Sequence, residues 1–417
     1  MIANRERGVS LIELMVALAI GTLLILGLVQ VFGASRTAYQ LSSGLGRVQE
    51  NGRFALDLLQ RDIRMAGHMG CVNDQARFLP TNVTASRPAL LSTFLTAAQQ
   101  FGTGASPTSN YAAAPFPLRF DVAIQGYNAV GTASGNTLAL PSAPALATAN
   151  TWEPQIEANL YTTLTSGTGA GRLVDGSDVL VLRYFAPTGA QVTAFTSGAP
   201  TSITVAQPAL LTEGGPNSGL FGIADCMQVG VFAATVGAGG TLSVATTALN
   251  RTTFDTIPQF TIGQAMVYRA ESIVYYIGRN ASGNPALYRL RYGANAALTA
   301  VTAGAPEEMV EGIESMQFQF GQDSQTSASA RPTGNIGQSV LPAGLQPAGN
   351  LDHAWRTVGL VQVGLLARSP DSAAAERRAD ATMRLSALGV IMAPPDDRRY
   401  RTVYEDSIAL RNRLFGN

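Results

Sequence analysis

The chain opens with a short stretch, Met1 to Gly8, that carries Arg5, Glu6 and Arg7. An apolar run follows, interrupted once by Glu13. From Leu14 to Gly33 no residue is charged, a length that crosses a bilayer as a helix. The apolar signal then narrows to a stripe. Leu41, Leu45, Val48, Gly52, Ala55, Leu59, Ile63 and Ala66 recur at three- and four-residue steps. Arg47, Glu50, Arg53, Asp57, Arg61, Asp62 and Arg64 are assigned to the opposite, polar face, where Arg53–Asp57 and Asp57–Arg61 stand four apart and can pair. No proline precedes Pro80, so the pattern predicts one helix from Val9 to about Ala66, ~87 Å long. It ends in Gly67-His68-Met69-Gly70-Cys71. Gly21, Gly27, Gly44, Gly46 and Gly52 each lower its stability by ~1 kcal/mol relative to alanine. They permit bending or local melting; the alternative is that Gly21 and Gly27 only permit close helix packing.

After Cys71 the period changes. Residues 72–175 are rich in Ala, Thr, Ser, Gly and Pro, and read as a variable, loop-rich region with short β-prone runs such as Leu118 to Ile124. Stronger strands follow: Asp178 to Tyr184 after the turn Asp175-Gly176-Ser177, and Met227 to Ala233 after Cys226. Ser272 to Ile277 and Ala286 to Leu290, joined through Ser282-Gly283-Asn284-Pro285, read as a hairpin. Met309 to Phe320 and Val358 to Ala367 complete the set, with a polar, exposed loop expected over 322–350. The fold expected is α+β: a long N-terminal helix, membrane-spanning over about 12–33 and amphipathic over 36–67, packed on an antiparallel sheet domain, 68–417, with long loop insertions.

Composition narrows the function. The formal net charge is zero and all 28 basic residues are arginine, so no single-sign field draws in nucleic acid. The two cysteines, Cys71 and Cys226, are too few for a disulfide scaffold or a zinc site. Their state depends on the compartment, and the N-terminus decides that. Arginines before the apolar run hold its start on the cytoplasmic side. Three readings compete. A cleaved secretory signal would use Gly33-Ala34-Ser35, but leaves Glu13 inside an over-long apolar run. A plain anchor fits the length, yet a carboxylate at that depth costs on the order of 3 kcal/mol unless paired. A short leader cut off ahead of a retained apolar helix accounts for both features.

Gly8 followed by Val9-Ser10-Leu11-Ile12-Glu13-Leu14-Met15-Val16 resembles the class III signal of type IV prepilins. That resemblance implies a leader of residues 1–8 removed by a prepilin peptidase, N-methylation of Val9, and an assembly role for Glu13, fifth in the mature chain. Val9 departs from the phenylalanine commoner at that position. In a packed filament a terminal cation and the Glu13 carboxylate of a neighbour neutralise each other, and only one axial stagger satisfies both. Further blocks narrow the resemblance to PilW-type minor pilins: Asn51-Gly52-Arg53-Phe54-Ala55, Asp62-Ile63-Arg64, Gly70-Cys71, Gly176-Ser177-Asp178, Asp225-Cys226, the Tyr276 to Arg289 hairpin, Val310-Glu311-Gly312-Ile313-Glu314 and Arg401-Thr402-Val403-Tyr404. They are similar, more loosely, to the minor pseudopilin J of type II secretion. The partners implied are the prepilin peptidase, other minor pilins, the major pilin and the inner-membrane assembly platform. In a periplasmic domain Cys71 and Cys226 are expected to be bonded, stapling the helix end to the sheet.

No spacing argues for catalysis, a cofactor or a metal. His68 and His353 are far apart, Gly167-Thr168-Gly169-Ala170-Gly171 lacks the strand and sixth-position glycine of a phosphate cradle, and no nucleophile elbow is present. Asp175 and Asp178 could ligate calcium but fit a tight turn better, and Asp396-Asp397-Arg398-Arg399 reads as a solvated charge cluster. The alternative of another class is a membrane-anchored periplasmic enzyme or binding protein, which would need a concave polar site with perturbed titratable groups.

Overall fold

The computed structural model describes residues 8–71, 90–101, 110–212, 218–254, 260–327, 332–372 and 385–413. Residues 1–7 of the expected leader, 72–89 and 102–109 of the expected loop-rich region and 328–331 of the 322–350 region lie outside the described residues.

A single helix, α1, runs Leu11–Met65, about 82 Å at 1.5 Å per residue. Its C-terminal half buries Gly44, Val48, Gly52, Ala55, Leu58, Leu59, Asp62 and Ile63 against the sheets. The stripe read from the sequence is therefore docked from Gly44 onward. Leu41, one turn earlier, is exposed, because no sheet lies beside it. Asp62 corrects the assignment of the polar face. It stands three residues after Leu59 and seven after Ala55, so its angle puts it on the buried face whatever its charge. Among the described residues Arg53–Asp57 and Asp57–Arg61 do not pair; Arg61 Nε instead lies 3.3 Å from Asp62 Oδ1.

The larger sheet contains β1 (Ile124–Ala129), β2 (Val179–Thr196), β3 (Thr201–Val205), β4 (Leu220–Ala224), β5 (Val229–Ala233), β6 (Met266–Arg279), β7 (Pro285–Ala294) and β8 (Glu307–Glu311). Along it β5, β4, β6, β2 and β1 are successive neighbours, and β7 pairs with both β6 and β8. The expected hairpin is β6–β7, antiparallel with Tyr276 opposite Tyr288, and Gly283 supplies the positive φ of its turn. The second sheet holds β9 (Ile313–Asp323), β10 (Ile336–Val340), β11 (Val358–Arg368) and β12 (Arg401–Ala409), in the order β10–β9–β11–β12, antiparallel throughout. Met316, Phe318, Phe320, Val361, Val363, Leu365 and Ile408 join Ala55, Leu59 and Ile63 of α1 in one core.

Two expectations shift. The β-prone run Leu118 to Ile124 is strand only from its last residue, since Phe116–Leu118 turns as a 3-10 helix and β1 begins at Ile124, paired with Leu182 of β2. The 322–350 region is not simply an exposed loop. It contains β10, and Gln322 and Asp323 are buried at the end of β9, where Asp323 accepts from the Thr333 and Gly334 amides.

The two sheets meet at Gly176-Ser177-Asp178. Ser177 Oγ accepts from Met316 N at 3.0 Å, and Asp178 is buried with its carboxylate taking Ala129 N (2.9 Å), Asn128 Nδ2 (3.1 Å) and Phe318 N (2.8 Å). This is a turn that clasps strands, with both Asp178 oxygens accepting from N–H donors. Burial pushes the Asp178 carboxyl up to about 7 against the pull of those three donors. Its folded-state value lies above its unfolded one, so the folded chain holds the extra proton between about pH 4 and 7. Stability is expected to fall through that window as pH rises, on the order of 4 kcal/mol. Asp178→Asn removes this contribution, so denaturant titrations from pH 4 to 8 should show the wild-type advantage over the variant shrinking with pH. A constant difference would refute it.

Candidate assembly helix and its anchorage

Among the described residues nothing packs against the N-terminal half of α1. Leu11, Ile12, Leu14, Met15, Val16, Leu18, Ile20, Leu23, Leu24, Ile25, Leu26, Leu28, Val29, Val31 and Phe32 are all more than half exposed and lie all round the helix. Two of its hydroxyls are turned inward: Thr22 Oγ1 donates to Ala19 O at 2.9 Å, and Thr37 Oγ1 to Gly33 O at 3.0 Å. An apolar solvent or apolar partners must therefore cover it. Leu14, Ala17, Leu18, Gly21, Thr22 and Ile25 line a shallow groove along one side. The exception in this surface is Glu13. Its carboxylate accepts the Ser10 amide at 3.0 Å within the first turn, where the unpaired amides and the helix dipole favour an anion. Val9, one turn earlier, is exposed.

The other half of α1 is fixed to the sheets by specific contacts. Tyr404 of β12 lies so close to Gly52 that a Cβ there would sit 2.1 Å from its ring, and its hydroxyl donates to Val48 O. Close packing is thus what Gly52 provides, whereas Gly21, Gly27 and Gly46 face open space. Asn51 Nδ2 donates to Glu311 O at 2.9 Å and Gln60 Nε2 to Asp406 Oδ2 at 2.9 Å. Asp62 accepts from the Tyr275 hydroxyl at 2.7 Å and faces Arg289 at 3.8 Å, which is itself held by Glu307 at 2.7 Å. Burial beside that carboxylate holds the Tyr275 phenol well above its ordinary value, so it remains a donor at all working pH.

The helix stops at Ala66, and Gly67 turns away with φ 76°. Asn412 Nδ2 donates to Arg64 O at 3.1 Å, the Gly67 amide donates to Arg183 O at 3.2 Å, and His68 O accepts from the Phe185 amide at 2.8 Å. Four residues past Gly67, Cys71 is bonded to Cys226, which follows β4, with Cα atoms 4.9 Å apart.

Removing the Asp62 carboxylate leaves the Tyr275 hydroxyl buried without its acceptor. Asp62→Ala is expected to cost about 2–3 kcal/mol, and Asp62→Asn less because its amide oxygen still accepts. Chemical denaturation in detergent checks both; equal costs would show that the hydrogen bond is not the cause.

The structure thus puts the sequence-read positions at opposite ends of α1. Gly8, Val9 and Glu13 lie at one end, and Cys71 with Cys226 at the other, about 80 Å away. Sequence reading missed the Asp62–Tyr275–Arg289 clamp and the Gly52–Tyr404 seat. An acid inside an apolar stripe, three residues after Leu59, was the signal for the first. His68 Nδ1 lies 2.9 Å from Phe185 O, a backbone contact. Asp397, read as part of a solvated cluster, instead grips Arg401 through both oxygens at 2.7 Å, and Arg401 in turn meets the buried Glu314–Arg368 pair. Among the described residues no group of three or more His, Cys, Asp or Glu is placed to hold a metal.

Two protein families match this chain. Residues 3–29 match the prokaryotic N-terminal methylation motif, and residues 274–412 match the type IV pilus-assembly protein W family. The chain thus carries a PilW-type domain behind a prepilin-type N-terminal methylation motif. No curated protein and no solved structure gives a significant match. The PilW domain begins within β6, one residue before Tyr275, and ends at Asn412. It therefore contains Tyr275, Arg289, Glu311, Tyr404, Asp406 and Asn412, the sheet-side partners of α1 described above. In physical terms the PilW domain is the dock for the second half of α1.

Proposed function

We propose that the protein is a minor subunit of a type IV pilus that helps to prime or cap the filament through its N-terminal helix. The observation that carries this reading is the division of α1: from Leu11 to Gly33 it is apolar all round but for Glu13 and, among the described residues, unpartnered, while its second half is clamped to the sheets. A membrane anchor alone needs the first half but gives no use for the acid. In the proposal, prepilin peptidase cuts after Gly8 and the new Val9 amine is methylated. Residues 12–33 then hold the chain in the inner membrane, with 36–67 and the globular part, 68–417, in the periplasm. The assembly platform brings the subunit beside other minor pilins and the major pilin. There Glu13 meets the N-terminal amine of a neighbour and sets the axial register. Because α1 is fixed to the PilW domain, register at the helix places the domain as well.

N-terminal sequencing of membrane-extracted protein, from cells with and without prepilin peptidase, tests this. A mature chain beginning at methylated Val9 is expected only when the peptidase is present. A start near Arg36 would make the protein an ordinary secreted one.

A further inference from the structure

The sheet edges of this protein are unequally guarded. A free edge offers unpaired amides and carbonyls to any extended chain, and natural sheets blunt theirs with short strands, charges or cover. Among the described residues the outermost strands Leu91–Ser92 and Trp152–Glu153 of the larger sheet have two residues each. The edge strand Thr241–Val244 is bridged by Val236. β8 carries Glu307, Glu308 and Glu311 and lies against α1, and β12 carries Arg401, Glu405 and Asp406 and has α1 seated on it. β10 has none of these devices. It is five residues, Ile336-Gly337-Gln338-Ser339-Val340, with no charge and no proline, and among the described residues it pairs with β9 alone. Its pairing runs in regular register from Val340 opposite Phe320 to Gln338 opposite Gln322, with the one irregularity at the far end. Residues 336–339 are exposed, and at Gly337 what is exposed is the backbone itself.

We propose that the free edge of β10 accepts an extended, uncharged segment of a neighbouring pilin subunit, adding a strand to the second sheet. The inference rests on the pilin reading above. A five-residue strand pair falls well short of the roughly 1,200 Å² that a stable free-standing complex buries. Two copies in solution would not hold together by it. A subunit already held alongside by helix packing meets the edge at high effective concentration, and there a short ladder suffices. The edge lies three strands from β12, roughly 14 Å across the sheet from the strand that α1 covers, so both contacts can be made at once. The absence of charge selects a neutral partner strand, since a charged one would gain no counter-ion.

The test places a photo-crosslinking side chain at Gln338, and separately at Leu18, in cells that assemble filaments. Adducts from both positions to another pilus subunit, mapped by mass spectrometry, are expected. Gln338→Lys with Ser339→Lys should lower incorporation into sheared filaments by about tenfold or more, while Gln338→Thr with Ser339→Thr restores it. Normal oxidation of Cys71 and Cys226 in each variant checks that the domain folds. Adducts from Leu18 but none from Gln338, or adducts from Gln338 only to a second copy of this chain, would overturn the edge proposal. Adducts from neither position would instead overturn the filament reading.

Discussion

Replacing Glu13 by alanine is expected to remove the protein from sheared filaments by two orders of magnitude or more, with its level in the inner membrane unchanged. The argument is one of paired charges. Everything around Glu13 on the first half of α1 is apolar and exposed. Once such helices pack together, a neighbour's terminal amine is desolvated with no water to meet it. Leaving a buried charge without its partner costs about 3–5 kcal/mol, which sets the size of the effect. Among the described residues Glu13 accepts only the Ser10 amide, so its loss costs folding about 1 kcal/mol or less. Glu13→Gln keeps the shape and the hydrogen bond but not the charge, and should fail nearly as badly. The measurement is an immunoblot of filament and membrane fractions. Normal incorporation of either variant would defeat the register mechanism.

The second large effect is expected from replacing Cys71 and Cys226 together by serine. The disulfide closes a loop with a sequence separation of 155 residues, and by loop-closure entropy this stabilises by about 5 kcal/mol. Both cysteines are exposed, so serine opens no cavity and the loss reports the cross-link itself. The bond ties the turn after α1 to the β4–β5 connection, outside the PilW domain. Without it the helix end depends on the Asn412, Gly67 and His68 hydrogen bonds, each worth about 1 kcal/mol. Denaturant unfolding of the oxidised protein and the double variant checks the figure. A difference below about 1 kcal/mol would mean that those hydrogen bonds already hold the end. Stoichiometric labelling of the unreduced wild type by a thiol reagent would show that the bond does not form.

Local order was legible wherever neighbours along the chain decide it. Helix α1, its stop at Gly67, the β6–β7 hairpin and the strands after Ser177, Gly312 and Thr357 follow from apolar spacing and turn residues that act within a few positions. So does the placing of Glu13 one turn after Val9. β10 escaped because its five residues are short and polar and take strand form through pairing with β9.

Apolar spacing alone set out a bilayer-length helix with one acid near its start, continued into an amphipathic half and followed by strands. The period of hydrophobic residues is a property of the chain alone. Long-range packing decided that Asp62 is buried on Tyr275, that Gly52 seats Tyr404, that Asp178 clasps two sheets and that, among the described residues, one edge of β10 is left bare. Those outcomes depend on which residues meet across more than a hundred positions of sequence. A polar side chain near an apolar stripe carries no mark of whether its partner will be water or a hydroxyl from a distant strand.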